Sequence, residues 1–323
     1  MIRVGMIGCN RRALWYAALM NELVPEEYAA LAPASYHHMT YYQHVELQVA
    51  YARGMRVTKI YDPDARAAER IAAAFRKRPT VAASIHEVNE DVDAVLVANE
   101  DGDGSAHPAL AAPGLRGGVP TFVDRPLAAT VKEARAMLRL AQRNKAPLLS
   151  CSHTRMLPHA ARFRARFEEL GHVERGFVCG HGAQPAQIAD AVELALSLFA
   201  EGFGRPVSVC SMGAQPCEVM LLECAAARGG AKRQVLIDNT PHETPRNAIW
   251  AKAMGAGPPL DSPAFDAFLQ PEGGVAVPKA LREMVRTGRS PMSPARLIEP
   301  TAVIEAARHA HNAPRAVPVP NAR

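Results

Sequence analysis

The chain has 323 residues, 48% of them hydrophobic and 21% charged, a length suited to two domains of roughly 100 to 200 residues each. With no apolar run near the roughly 18 residues of a membrane span, and no collagenous, heptad or low-hydrophobicity bias, the membrane, fibrous, coiled-coil and disordered classes are excluded. The 37 Lys and Arg against 32 Asp and Glu leave +5, which is weak evidence for an anionic ligand. The basic residues lie on helix-like stretches such as Arg66, Arg70, Arg76, Lys77 and Arg78 instead of gathering in stripes with aromatics, so they read as solvated faces and no nucleic-acid partner is expected. Six scattered cysteines (Cys9, Cys151, Cys179, Cys210, Cys217 and Cys224) form no C-x-x-C pair. The chain opens without a signal-like apolar segment, so the expectation is a reduced, cytoplasmic protein.

In chain order, the apolar run Ile2 to Ile7 ends at Gly8 and leads into a helical pattern through Leu14, Ala17 and Ala18. A second strand, Arg56 to Tyr61, is followed by an Ala-rich helix from Asp64, which can cap it, to Phe75. The period repeats with a strand at Val92 to Ala98, a helix at Ala106 to Leu115, a strand at Thr121 to Val123, a helix at Thr130 to Arg143 and a last strand at Leu148 to Ser150. Continuous apolar strands alternating with helices predict a parallel sheet covered on both faces. After Ser150 a helix (His159 to Leu170) precedes strand-like segments at Arg175 to Cys179, Val207 to Met212, Val219 to Ala225 and Gln234 to Ile237, the pattern of a mostly antiparallel sheet. A helix at Ile188 to Ala200 interrupts them, Gly/Pro-rich loops fill Gly255 to Gly274, and a closing helix near Thr301 to His311 leads into a Pro-rich tail that reads as a surface strap.

The nucleotide signal lies at the first turn, where glycines let backbone N–H groups approach a pyrophosphate and an acid after the next strand holds the ribose. Gly5-Met-Ile-Gly8-Cys-Asn10-Arg-Arg-Ala13 keeps the first glycine at Gly8, puts Asn10 at the second and Ala13 at the third. Asn tolerates positive φ, so the turn survives, although its side chain narrows the approach. Arg11 and Arg12 either offset this electrostatically or are solvated helix-start charges. Asp62 occupies the ribose position, farther from Gly8 than the usual spacing of about 20 residues, which requires an insertion at about 21–48. Asn99, after the third strand, reads as a cofactor contact, and Glu100 as a contact or a strand end. In the insertion, His37, Tyr41, His44 and Gln48 would share one helical face; a packing or subunit-contact stripe is favoured over a cleft lid or a metal site. Asp101-Gly-Asp-Gly104 lacks the remaining ligands of a calcium loop, and no metal is expected.

The later segments, taken together and in order, resemble the Gfo/Idh/MocA family of glucose–fructose oxidoreductase and inositol dehydrogenase. They are Val4-Gly-Met-Ile-Gly8, Ile60-Tyr-Asp62-Pro-Asp64, Val92-Asp-Ala-Val95 with His107, Gly118-Val-Pro-Thr-Phe-Val-Asp124-Arg125-Pro126-Leu127, Arg155 with Pro158, Asp190 on its helix, Gly204-Arg-Pro-Val-Ser-Val209 and the closing Glu305-Ala-Ala helix. The resemblance implies an α/β fold: a Rossmann doubly wound parallel sheet over about residues 1–150 and a C-terminal α+β domain with an open, mostly antiparallel sheet over 151–323. It implies hydride transfer between NAD(P) and a hydroxyl-bearing carbon of a sugar, polyol or inositol, and a homo-oligomer, dimer or tetramer. Asp62 favours NAD over NADP, because it would repel a 2′-phosphate.

The residues expected to perform the chemistry are altered. The family's Glu-Lys-Pro appears as Asp124-Arg125-Pro126, and an arginine, unlike a lysine, stays protonated. Arg125 can polarise an oxygen or clamp a carboxylate, which favours an anionic substrate such as an acidic sugar. Counting back from Asp190, the family's Asp and His positions hold Ala183 and Gln187. The candidate replacement bases are His153 and His181, whose residue type titrates near neutral pH; Asp190 either orients a catalytic group or pairs structurally. Three readings stay open: an oxidoreductase with another base, a lyase or isomerase using transient oxidation, and a redox-silent regulator or accessory subunit.

Overall fold

The computed structural model describes residues 1–34, 52–99, 102–180, 182, 184–214, 217–225, 232–240, 249–265, 271–311, 313 and 315–322. The chain divides into two compact units, Met1–Ala128 with Lys132–Ser150 and Phe268–Ser293, and Ala129–Val131 with Cys151–Ala267 and Pro294–Arg323. Among the described residues, no helix is long and apolar enough to cross a membrane.

In the first unit, β1 (Ile2–Ile7), β2 (Met55–Tyr61), β3 (Thr80–Val81), β4 (Ala94–Val97), β5 (Thr121–Val123) and β6 (Leu148–Ser150) form one sheet in the order β3-β2-β1-β4-β5-β6. Every pair is parallel. The central strands are apolar on both faces: Val4, Met6, Ala94, Val95 and Val97 are fully buried. That burial is what helices on both sides of a parallel sheet provide. The helices are α1 (Arg11–Ala18), α2 (Pro25–Leu31), α3 (Ala65–Ala73), α4 (His107–Arg116) and α5 (Val131–Arg143). Asp64 caps α3 as expected, its side chain accepting from Arg66 N at 3.0 Å. The order places the switch point between β1 and β4, and in such sheets ligands bind outside the carboxyl ends of the strands there.

The Gly255 to Gly274 stretch, expected to be loop, is partly regular. It begins at the end of β11 (Trp250–Gly255), contains β12 (Leu260–Asp261), and runs into a helix, Pro271–Thr287. Gly274 lies in that helix because a Cβ there would meet the Trp15 ring at 2.5 Å, so a residue that reads as a loop former serves close packing against α1. α2 lies inside the presumed insertion, and Asn21 just before it is only 2% exposed. Its amide donates to Val57 O at 3.1 Å and accepts from Val57 N at 3.0 Å, as a neighbouring strand would. The residues of the proposed His/Tyr stripe, His37, Tyr41, His44 and Gln48, lie outside the described residues.

In the second unit, β7 (Val173–Cys179), β8 (Pro206–Ala214), β9 (Cys217–Cys224), β10 (Arg233–Asp238), β11, β12 and β13 (Val317–Pro318) pair in the order β12-β11-β7-β10-β9-β8-β13. All neighbours are antiparallel except β7 and β10. The Pro-rich tail therefore contributes an edge strand, with Val317 opposite Val209. The helix expected at His159 to Leu170 is α6 (Pro158–Ala165) continued by a 3-10 turn, Arg166–Leu170. The one expected at Ile188 to Ala200 is α7 (Pro185–Ala195) continued by a π-turn, Leu196–Ala200. α7 packs on β7, β10 and α8 (Pro294–Ala310).

Candidate active site

Four of the sequence-selected positions follow carboxyl ends of strands in the first unit: Gly8 after β1, Asp62 after β2, Asn99 after β4 and Asp124 after β5. Gly8 has φ +100°, and a Cβ there would lie 2.8 Å from Ala98 O, so both conformation and space demand glycine. Asn10 departs from expectation. Its φ of −94° is ordinary, and it caps α1, accepting from Ala13 N at 2.9 Å while its Nδ2 donates to Ala98 O at 2.8 Å. The asparagine thus exchanges the phosphate-side space of a second glycine for a bolt between the first turn and the end of β4. Asp62 is half-buried, and its Oδ1 accepts from Asp64 N at 2.9 Å.

His107 opens α4 with both ring nitrogens facing carbonyls: Nδ1 lies 2.7 Å from Pro126 O and Nε2 3.1 Å from Asn99 O. Either tautomer therefore finds an acceptor, and the ring ties the loop after β4 to the Arg125-Pro126 segment. Arg125 is 4% exposed and Asp124 1%. Arg125 Nη1 donates to Asp124 Oδ2 at 2.8 Å, and Arg125 N donates to Asp124 Oδ1 at 3.0 Å. Arg11 is exposed, whereas Arg12 is 6% exposed, with its Nε 3.9 Å from Asp124 Oδ2 and its guanidinium over the Trp15 ring. Arg12 is therefore no solvated helix-start charge. Two guanidinium groups thus meet the Asp124 carboxylate in this buried cluster.

Cys9, in the same turn, is pushed up to about 12 by burial, with the charges of Asp62 and Asp64 adding to it. A thiol so far from its thiolate is a poor nucleophile. Alkylation by iodoacetamide near pH 8 is expected to leave Cys9 unmodified in the folded protein and to label it in urea, read by peptide mass.

In the second unit, Ser152, His153 and Thr154 are all buried and start a 3-10 turn, His153–Met156, that lies against α7. Ser152 Oγ donates to Asp190 Oδ1, and Thr154 Oγ1 donates to Asp190 O at 3.1 Å. Ser152 and Thr154 hydroxyls also meet at 2.8 Å. One turn along, Arg155 Nη1 donates to Glu193 Oε2 at 2.8 Å. Burial pushes Glu193 above the usual carboxylate range, with Arg155 opposing, and Glu299 is raised by burial against Arg155 and Arg296. Arg155 is itself held above its ordinary value: burial lowers it, and the charge and hydrogen bond of Glu193, with Cys151 and Glu299 adding, raise it. Gln187 sits in the first turn of α7, its Oε1 accepting from Gln184 N at 3.1 Å, which is a helix-capping arrangement. His181, Ala183, Glu100 and Asp101 lie outside the described residues.

Ser152, Glu193 and the Asp124 contact of Arg12 were not selected from sequence. Asp190 and Glu193 stand three apart on an otherwise apolar helix, so they share a face, and that was the available signal. Nothing in the spacing of Ser152 or Arg12 announces its partner, which arrives from a distant segment.

A family model described as "Oxidoreductase family, NAD-binding Rossmann fold" matches residues 2–152. No curated protein matches the chain. Among solved structures, the myo-inositol dehydrogenase of Lactobacillus casei in complex with NAD(H) and myo-inositol has a TM-score of 0.73 at 14% identity, over 99% of this chain and 97% of its own. An oxidoreductase from Agrobacterium radiobacter in complex with NAD+, L-tartaric acid and magnesium has 0.72 at 16% identity, over 98% of each chain. A myo-inositol dehydrogenase from Corynebacterium glutamicum has 0.70 at 16% identity, over 99% of each. At these identities the likeness is one of fold. The glycine turn and the six-stranded parallel sheet both lie within residues 2–152, the portion of the chain that matches this NAD-binding oxidoreductase family model.

Proposed function

We propose that this protein is an NAD-linked oxidoreductase acting on a hydroxyl or carbonyl of a sugar, polyol or sugar-acid-like substrate. In this reading the dinucleotide-binding domain is about residues 1–150 joined by Phe268–Ser293, and the rest of 151–323 forms the substrate and oligomerisation domain. The observation that carries this reading is the alignment of Gly8, Asp62, Asn99 and Asp124 after the carboxyl ends of β1, β2, β4 and β5, where dinucleotides lie in such sheets. The Gly8 turn accepts no Cβ. Gly8, Asn10, Arg11 and Asn99 would hold the pyrophosphate side and Asp62 the ribose hydroxyls, which favours NAD over NADP. Asp124 and Arg125 would stand on the nicotinamide side. The dinucleotide, when bound, supplies the hydride acceptor or donor.

Oxidising a hydroxyl also releases a proton. Arg125 stays protonated and orients or polarises the reacting oxygen; His153 is the proton acceptor in this reading, and Asp190, which accepts from Ser152, positions its turn. The permanently charged Arg125 in place of a lysine supports a substrate that is anionic as well as hydroxylated. Solved relatives in fold were crystallised with myo-inositol and with L-tartaric acid, which spans that class. The competing reading, a redox-silent accessory protein, is favoured by the engagement of Arg125 with Asp124 and of Gln187 with Gln184.

Thermal unfolding with millimolar NAD, NADH, NADP and NADPH separates them. A nucleotide at about 100 times its dissociation constant adds roughly 2.7 kcal/mol, so a raised midpoint with NAD or NADH and a smaller one with the phosphorylated pair is expected. Absorbance of the denatured supernatant checks for nucleotide already bound. Sugar acids and polyols are then screened for nicotinamide absorbance change, which Arg125→Ala is expected to lower at least about a hundredfold. Absence of both a midpoint shift and retained nucleotide overturns the dehydrogenase, and unchanged turnover in Arg125→Ala removes that residue from the chemistry.

A further inference from the structure

The second unit contains a cavity of about 570 Å³ that the proposed reaction does not use, within the roughly 300 to 1,000 Å³ typical of small-molecule sites. It is lined by the segment that continues α7 beyond its carboxyl end, at the opposite end of the helix from Gln187. Its wall is aromatic. Phe167 stacks on Phe199 with centroids 5.5 Å apart and planes 16° apart, and Phe199 meets Phe203 at 5.4 Å. Phe199 and Phe203 are buried, whereas Phe167 is partly open. Phe199 lies in the π-turn Leu196–Ala200, a rare geometry that recurs at functional sites. Gly176 of β7 leaves room for its ring, since a Cβ there would lie 2.7 Å away.

The charge on this wall is unbalanced. Arg233, the first residue of β10, lies over the Phe203 ring at 5.4 Å, and its Nη1 donates to Gly202 O at 2.6 Å. A guanidinium carries five N–H donors, and among the described residues no carboxylate pairs with Arg233. Arg164 and Glu168 also line the cavity, so the charge imbalance rests on Arg233. His172, also in the lining, faces Glu174 at 3.2 Å. An apolar aromatic wall with surplus guanidinium charge selects an organic anion with a flat body, because such a group stacks on the ring and answers the planar donor fork.

We propose that this cavity is a second ligand site, for a small aromatic carboxylate whose ring stacks on Phe167 and whose carboxylate is held by Arg233. The site is independent of the nucleotide reading. Benzoate titrated calorimetrically into the full-length protein is the probe, with benzyl alcohol lacking the charge and cyclohexanecarboxylate lacking the flat ring. Saturable binding of one benzoate per chain is expected, weakened at least about tenfold in benzyl alcohol and in Arg233→Gln, and weakened again by Phe167→Ala. Arg164→Gln carries the charge test should Arg233→Gln fail to fold, and NAD should leave benzoate affinity unchanged. The proposal is overturned by no saturable binding at about 10 mM benzoate, by equal binding in the folded charge variants, or by competition with NAD. Light scattering that shows benzoate excluded by association of two chains also overturns it, assigning the cavity to a subunit contact.

Discussion

Asp124→Ala is expected to cost about 3 to 5 kcal/mol of stability, the loss typical of removing one partner from a buried ion pair. The carboxylate is 1% exposed and lies 2.8 Å from Arg125 Nη1 and 3.9 Å from Arg12 Nε. Its removal leaves two guanidinium groups in a space with little water to solvate them. Urea unfolding read by circular dichroism measures the effect, and Asp124→Asn separates its parts. The amide keeps an acceptor for Arg125 N and the shape of the side chain but lacks the charge. If the asparagine variant is as stable as wild type, the cluster is held by shape and hydrogen bonding, and the electrostatic account fails. Arg125→Ala is expected to be milder than Asp124→Ala, because Asp124 then keeps Arg12.

Arg155→Met is expected to be of similar size, about 3 to 5 kcal/mol at neutral pH. It strands Glu193, which is 2% exposed, close to Asp190 with no counter-charge from the 3-10 turn. The pH dependence carries a sign. Burial raises Glu193 and Glu299 in the folded protein from an ordinary value of 4.5, with Arg155 opposing both shifts. The native state then keeps protons that the unfolded chain has lost. The contribution of these groups to stability is full below about pH 4.5 and is lost as pH rises through their raised folded values. Removing Arg155 raises both values further, so Arg155→Met should lose most stability toward neutral pH and least near pH 4.5. Glu193→Gln should flatten the slope. Urea midpoints across about pH 4 to pH 8 decide the matter, and an Arg155→Met penalty that is independent of pH rejects the coupling.

Local pattern carried far in this chain. Continuous apolar runs announced the central strands of the first sheet, and Asp64 announced the start of α3, because both depend on residues within one turn or one strand. Short or packing-driven elements escaped. β3 is two residues long, and Pro271–Thr287 contains two prolines and two glycines, of which Gly274 is explained only by its seat on Trp15. For the candidate site, strand ends and the glycine turn were legible, since each follows a run of fixed period.

What the sequence determined by itself is therefore the class of fold, the turn at Gly8, the acid at Asp62 and the replacement of Lys by Arg at position 125, all properties of neighbouring residues. The tertiary structure alone decided the partners. Arg12 reaches Asp124, Ser152 reaches Asp190, and Arg155 reaches Glu193 from segments 38 or more positions away. Burial at those meetings sets their charge states. The same holds for Asn10, whose type suggested a left-handed turn and whose neighbours, Ala13 N and Ala98 O, made it a helix cap instead. Side-chain chemistry is written in sequence, but the dielectric and the counter-charge that tune it come from residues that only folding brings within about 4 Å.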